Sequence, residues 1–229
     1  MKKNQIVIGV ILLAIVSITS CQKEESRYSC DPEVNNWASL NAVEIKSMNR
    51  SQFLDLDEIY QRAAYNVFTP QQRMSLWKVK LEETLQLEWT VNEHNHIENL
   101  LNMIVKNIQW FNNDRGQETM DHFEIECYKW FYYAINNLQW DVETVYAIVG
   151  VPAPVAKDNG KLLLVSSQSG GGKGIPQKIC SCTLYCTISN INCGKDQSCN
   201  DEDCEWPTTV GCGWLWMDSC NGYCGKNPD

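Results

Sequence analysis

The stretch ICSCTLYCTISNINCGKDQSCNDEDCEWPTTVGCGWLWMDSCNGYCGKNPD, residues 179–229, decides how the rest of the chain is read. It holds Cys180, Cys182, Cys186, Cys193, Cys199, Cys204, Cys212, Cys220 and Cys224, nine of the twelve cysteines in the sequence. A segment this short buries too little apolar surface to offset the entropy of ordering it, so covalent staples or a metal must hold it. It has no histidine, and its cysteine spacings contain no pair of CxxC knuckles, which favours disulfides over zinc. The aromatics Trp206, Trp214, Trp216 and Tyr223, together with Tyr185, are too many for an interior made largely of cystine. Some are therefore expected at the surface, as contacts for a sugar ring, a lipid interface or a protein pocket. The alternative, that they only cover the disulfides, stays open.

The other end of the chain places that tail in an oxidising compartment. Lys2 and Lys3, an apolar run from Ile6 to Val16 and then Ile18-Thr19-Ser20-Cys21 read as a lipoprotein signal peptide over residues 1–20. The run is too short for a permanent membrane span, and Cys21 is the expected lipidated first residue of the mature chain, a partner of the membrane through its acyl anchor. Cys21-Gln22-Lys23-Glu24-Glu25 resembles the tag that sends Bacteroidetes lipoproteins to the outer face of the outer membrane. Loss of Lys2 and Lys3 from 19 basic residues takes the net charge from −9 to −11. So acidic a surface is a poor partner for nucleic acid. Nine tail cysteines are an odd number, so one stays unpaired or reaches Cys30 or Cys127; connectivity does not follow from sequence.

Between the two ends the pattern is helical. Residues 21–30 read as a polar tether. Asp31 and Pro32 suit a cap and a first turn, and Val34, Trp37 and Leu40 follow at helical spacing. Asn49-Arg50-Ser51 reads as a break before a second segment through Phe53, Leu56, Ile59, Ala63 and Val67. Thr69-Pro70-Gln71-Gln72 and Thr90 with Glu93 are capping-box starts. The second of these helices is expected to carry Ile97, Leu101, Ile104, Ile108 and Phe111 on one face. Further helices follow over Met120–Leu138 and Asp141–Val149, with a turn at Asn112–Gly116 between them and the helix before.

The expected fold is thus an all-α helical domain, residues 31–149, followed by a flexible linker, 150–178, and a small disulfide-rich C-terminal module, 179–229. Within the linker, Lys161–Ser166 suits one short strand without an assignable partner, and Gly170–Gly174 suits an exposed, protease-sensitive hinge.

No catalytic constellation appears, so an enzyme is not expected. His94 and His96 lie two apart on a helix, about 200° from one another, and cannot share a metal; His94 and Glu98 share a face but lack further ligands. Neither a phosphate loop nor a nucleophile elbow is present, and no cofactor is expected. Cys127 sits on an apolar helix face and reads as a core residue or disulfide partner.

The CSC of Cys180–Cys182, the TTVGCGWLW of 208–216, the CNG of 220–222 and the helical QRAAYNVFTPQQRMSLWKVKL of 61–81 together resemble the bacteriocin fulvocin C-related proteins of Bacteroidetes. That resemblance covers nearly the whole chain. It implies a surface-attached antagonistic protein with the cystine tail as effector, acting on a receptor of the target cell. The sequence departs from a membrane-active peptide in one respect: residues 175–229 hold three lysines against seven acids. The competing reading is a non-toxic surface lipoprotein whose tail is an adhesion module for glycan or protein.

Overall fold

The computed structural model describes residues 28–165, 182, 197–200 and 210–226. Cys21, Cys180, Cys186, Cys193, Cys204, Tyr185, Trp206 and the Gly170–Gly174 hinge lie outside these residues. The described chain is mostly helical, with two disulfides in the C-terminal region.

Helix α1 (Pro32–Leu40) begins where the Asp31 carboxylate accepts from the amides of Glu33 and Val34, at 2.8 and 2.9 Å. A short α2 (Ala42–Ile45) follows. The expected break at Asn49–Ser51 is instead a helix start. Asn49 and Gln52 form a capping box that opens α3 (Arg50–Leu54), and the chain breaks after it, before α4 (Glu58–Val67). Capping boxes at Thr69/Gln72 and Thr90/Glu93 open α5 (Pro70–Leu85) and α6 (Val91–Lys106) as expected.

Helix α6 ends earlier than its apolar stripe. The Asn107 carboxamide and its main-chain N–H both donate to Met103 O, at 2.8 and 3.2 Å, and Ile108–Phe111 continues as a 3-10 turn. Helices α7 (Gln117–Asn136) and α8 (Val142–Val149, capped by Asp141) complete the body.

The segment expected to be a linker from residue 150 is ordered against the helices as far as Val165. Strands β1 (Val155–Asp158) and β2 (Lys161–Leu164) pair antiparallel through the two-residue turn Asn159-Gly160, with φ of 49° and 81°. Val155 is the partner of Leu164, so the strand at 161–164 does have a mate. Asn-Gly is the residue pair that a hairpin turn with both central residues left-handed demands. Two cations of the helical body hold the approach to the hairpin: Arg50 Nη2 donates to Pro152 O at 2.9 Å, and Lys80 Nζ to Ala153 O. Lys80 is fully buried there, and desolvation lowers its amine to about 7. On the hairpin itself, Lys157 Nζ donates to Glu88 O at 2.6 Å.

In the tail, β3 (Gln197–Asn200) pairs antiparallel with β4 (Tyr223–Lys226), which places Cys199 opposite Cys224. Cys182 bridges Gly222 and is disulfide-bonded to Cys199; Cys212 is bonded to Cys220. Cys30 packs against the Cys212–Cys220 cystine, and Cys127 is buried in the helical core.

Residues 210–217 do not stand apart as a separate module. Val210, Trp214, Leu215, Trp216 and Met217 belong to the same buried cluster as Val34, Phe53, Trp77, Leu100, Phe123 and Ile148 of the helices.

Candidate functional site

Trp214 and Trp216, expected as exposed binding residues, are 3% and 1% exposed. The reason lies in helix α4, where Arg62 through Val67 are all buried. A surface helix buries one stripe; from Arg62 onward this one is enclosed all round because the tail covers the face that the other helices leave open. Enclosure leaves Arg62 and Asn66 away from water, and such groups must find partners. Their partners are the main chain of the tail. The Asn66 carboxamide donates to Val210 O at 2.8 Å and accepts from Val210 N at 3.3 Å, the pair of hydrogen bonds a neighbouring strand would make. Arg62 donates through Nη1 to Gly211 O, with Cys212 Sγ 2.9 Å away, and through Nη2 to Glu58 Oε1 at 2.5 Å. The Arg62 guanidinium beside Glu58 holds that carboxyl below the usual range.

One turn along, Tyr65 links the body to the tail. Its hydroxyl donates to Leu215 O at 2.8 Å and accepts from Trp77 Nε1 at 3.2 Å. Burial raises the Tyr65 phenol far above its ordinary value, so it stays a donor at any working pH. Arg73, fully buried at the start of α5, donates to Tyr65 O at 2.8 Å and Asn66 O at 3.0 Å. It thereby satisfies the last carbonyls of α4 and fixes the rotation at which Arg62, Tyr65 and Asn66 face the tail. Arg115, just before α7, closes the far end by donating to Met217 O.

The held segment is a tight loop. Gly211 N bonds to Trp216 O at 2.9 Å, and Cys212 and Asp218 exchange main-chain bonds of 3.0 and 2.9 Å beside the Cys212–Cys220 cystine. Gly213 has φ of 69°, and a Cβ there would lie 1.9 Å from Asp218 Oδ2, so only glycine fits. Leu215 and Trp216 also have positive φ, 51° and 54°, a conformation that costs such residues about 1–3 kcal/mol each. The surrounding packing compensates. Trp216 meets Tyr65 edge-on at 5.6 Å, lies under the Arg62 guanidinium at 5.0 Å, and donates through Nε1 to Gly150 O at 2.8 Å. Trp214 meets Trp130 edge-on at 5.6 Å and Phe131 at 6.4 Å.

The other candidate residues divide as follows. Cys182, Cys199, Cys212 and Cys220 form disulfides. Cys224 and Tyr223 lie on β4, and Cys30 and Cys127 are in the positions given above. Among the described residues, no group of three or more His, Cys, Asp or Glu is placed to hold a metal. His96 is a core residue. It stacks on Trp130 at 4.4 Å and 11°, bonds through Nε2 to Trp130 O at 3.1 Å, and is pushed by burial down to about 4, so it is neutral.

The residues that sequence reasoning missed are Arg62, Tyr65, Asn66, Arg73 and Arg115. The available signal was two polar side chains, Arg62 and Asn66, set four apart beside Ala63 and Ala64 in a segment read only for its apolar stripe.

Searches against protein-family models, curated proteins and solved structures found no match to this chain.

Proposed function

We propose that this chain is a surface-attached carrier of a bacteriocin-like cystine tail, which its helical body keeps sheathed. The observation that carries this reading is the burial of Trp214-Leu215-Trp216-Met217 in the core of the helices, with Arg62, Tyr65, Asn66 and Arg115 bonded to the tail's main chain. The resemblance of the CSC, TTVGCGWLW and CNG elements to the fulvocin C-related group supports the antagonistic role. Cys21 and the acidic residues after it support attachment at the outer surface.

A sheath has a physical purpose in such a protein. A loop of two tryptophans, a leucine and a methionine, if exposed, would adhere to the membrane that anchors the chain. Sheathing also changes what proteolysis does. A cut within 166–178 would leave the tail bound by its buried side chains, so exposure of the effector requires a second event that opens the helical body.

The alternative, a non-toxic adhesion module in the tail, is left without Trp214 and Trp216 as contacts, since neither reaches solvent.

The test is a protease site inserted within 166–178. Nicked protein should elute as one species in native chromatography and separate only in denaturant. The oxidised fragment 179–229 should inhibit related strains, while the intact and the natively nicked chain should not. A fragment inactive on every related strain defeats the effector reading; intact protein as inhibitory as the fragment defeats the sheath.

A further inference from the structure

A groove of about 400 Å³ runs between α6 and α7, and of its lining residues only Trp130 has a part in the sheath described above, as a contact of Trp214. One wall is a row of asparagines, Asn92, Asn95 and Asn99, at helical positions i, i+3 and i+7. Their carboxamides face solvent, and each offers two donors and an acceptor. The row spans about 10 Å along the helix axis, the length of a disaccharide. Asparagine is among the poorer helix formers, so three on one exposed face weaken α6 without adding to its packing. Such a row makes sense where the amides have hydrogen bonds to make with something else.

The rest of the groove is three aromatic rings, Met103 and one ion pair, and carries no net charge. His96 and Trp130 form a stacked pair at its floor, and Tyr133, 41% exposed, stands at its side, 4.9 Å from the His96 ring. Trp130 is fixed on both sides, since its Nε1 donates to His96 O at 2.9 Å and the tail's Trp214 meets it edge-on. The two charged lining residues, Glu126 and Lys129, pair with each other at 2.6 Å. An anion or a cation finds no counter-charge here, and an apolar peptide helix would strand the amides. A row of amide donors and acceptors beside a ring face suits a ligand with hydroxyls on its edges and C–H groups on its faces.

We propose that the α6/α7 groove binds a neutral glycan, with Asn92, Asn95 and Asn99 bonding its hydroxyls and Tyr133 covering a sugar face. The residues proposed to touch the sugar are none of those that hold the tail, and none of the glycan contacts first expected in the tail.

The test is titration of the full chain with three neutral trisaccharides, cellotriose, mannotriose and tri-N-acetylchitotriose, followed by NMR of the side-chain amides and by calorimetry. At least one should shift the carboxamide signals of Asn92, Asn95 and Asn99. The double variant Asn95→Ala/Asn99→Ala should weaken that binding by roughly tenfold or more. Both residues are exposed, so an unchanged melting curve will show that the variant is folded; Val43→Ala, exposed on α2, should bind as wild type does. No response to any of the three sugars at millimolar concentration, or equal binding by the double variant, overturns the proposal. Neither result bears on whether the released tail inhibits cells.

Discussion

Tyr65 and Trp216 show how single side chains tie the tail to the body. Tyr65→Phe leaves Leu215 O without its donor and Trp77 Nε1 without its acceptor, both in a dry interior. The expected loss is about 1–3 kcal/mol, seen as a lower denaturant midpoint of the helical signal. Trp216→Ala removes a fully buried indole and should cost about 3–5 kcal/mol. The loss should again appear in helical circular dichroism; a variant with unchanged helical stability would show that the tail is not part of the core. His96 makes stability depend on acid. Its folded value is near 4 and its ordinary value 6.5, so between these the unfolded chain binds a proton that the folded chain refuses. Stability is fully present above pH 6.5 and falls on acidification toward pH 4, by up to about 1.4 kcal/mol per pH unit. His96→Phe keeps the stack on Trp130 and should flatten that limb in denaturation midpoints taken across the window. The Glu58 carboxyl, depressed by Arg62, adds its own loss only at lower pH.

Among the elements, the β1–β2 hairpin and the 211–218 loop each rest on left-handed backbone. At Gly160, φ is 81° and there is open space around a Cβ, so the strain of a substitution is purely conformational. Gly160→Val should cost about 1–2 kcal/mol and raise amide exchange along Val155–Leu164, while the α5 and α6 amides stay protected. Equal loss of protection in the helices would mean that the hairpin and the body unfold as one unit. The hairpin was legible in Asp158-Asn159-Gly160-Lys161 between two short apolar runs, and was missed because the neighbouring prolines and glycines made the whole stretch resemble a linker. The capping boxes at Thr69 and Thr90 were readable because both partners lie within four residues. The end of α6 was not, because the apolar stripe continues unbroken in sequence through Ile108 and Phe111 while the backbone leaves the helix at Asn107.

For the molecule as a whole, the shared core changes what reduction should do. A tail folded on its own would unfold in reductant and leave the helices untouched. With Val210 and Trp214–Met217 inside the helical cluster, loss of the Cys212–Cys220 cystine, on the order of 2–3 kcal/mol for so short a loop, destabilises both together. Thermal melts of the helical signal should therefore shift downward in reductant and remain a single transition. A helical melt indifferent to reductant would show that the body holds its fold without the oxidised tail.

Sequence by itself determined most of the helices, the caps at Asp31, Thr69 and Thr90 and the disulfide-bonded character of the tail, because spacing, cap chemistry and cysteine count act over a few residues or through composition. It did not determine where Trp214 and Trp216 would lie. An indole near cysteines is equally suited to a sugar, a lipid or another part of the same chain, and the choice depends on whether some distant surface offers a dry face with matching donors. Only the tertiary structure supplied that surface, by bringing Arg62, Tyr65 and Asn66 about 150 residues along the chain to the carbonyls of Gly211, Leu215 and Val210. Main-chain acceptors are the same at every residue, so nothing in the tail's sequence names the side chains that will bond to them.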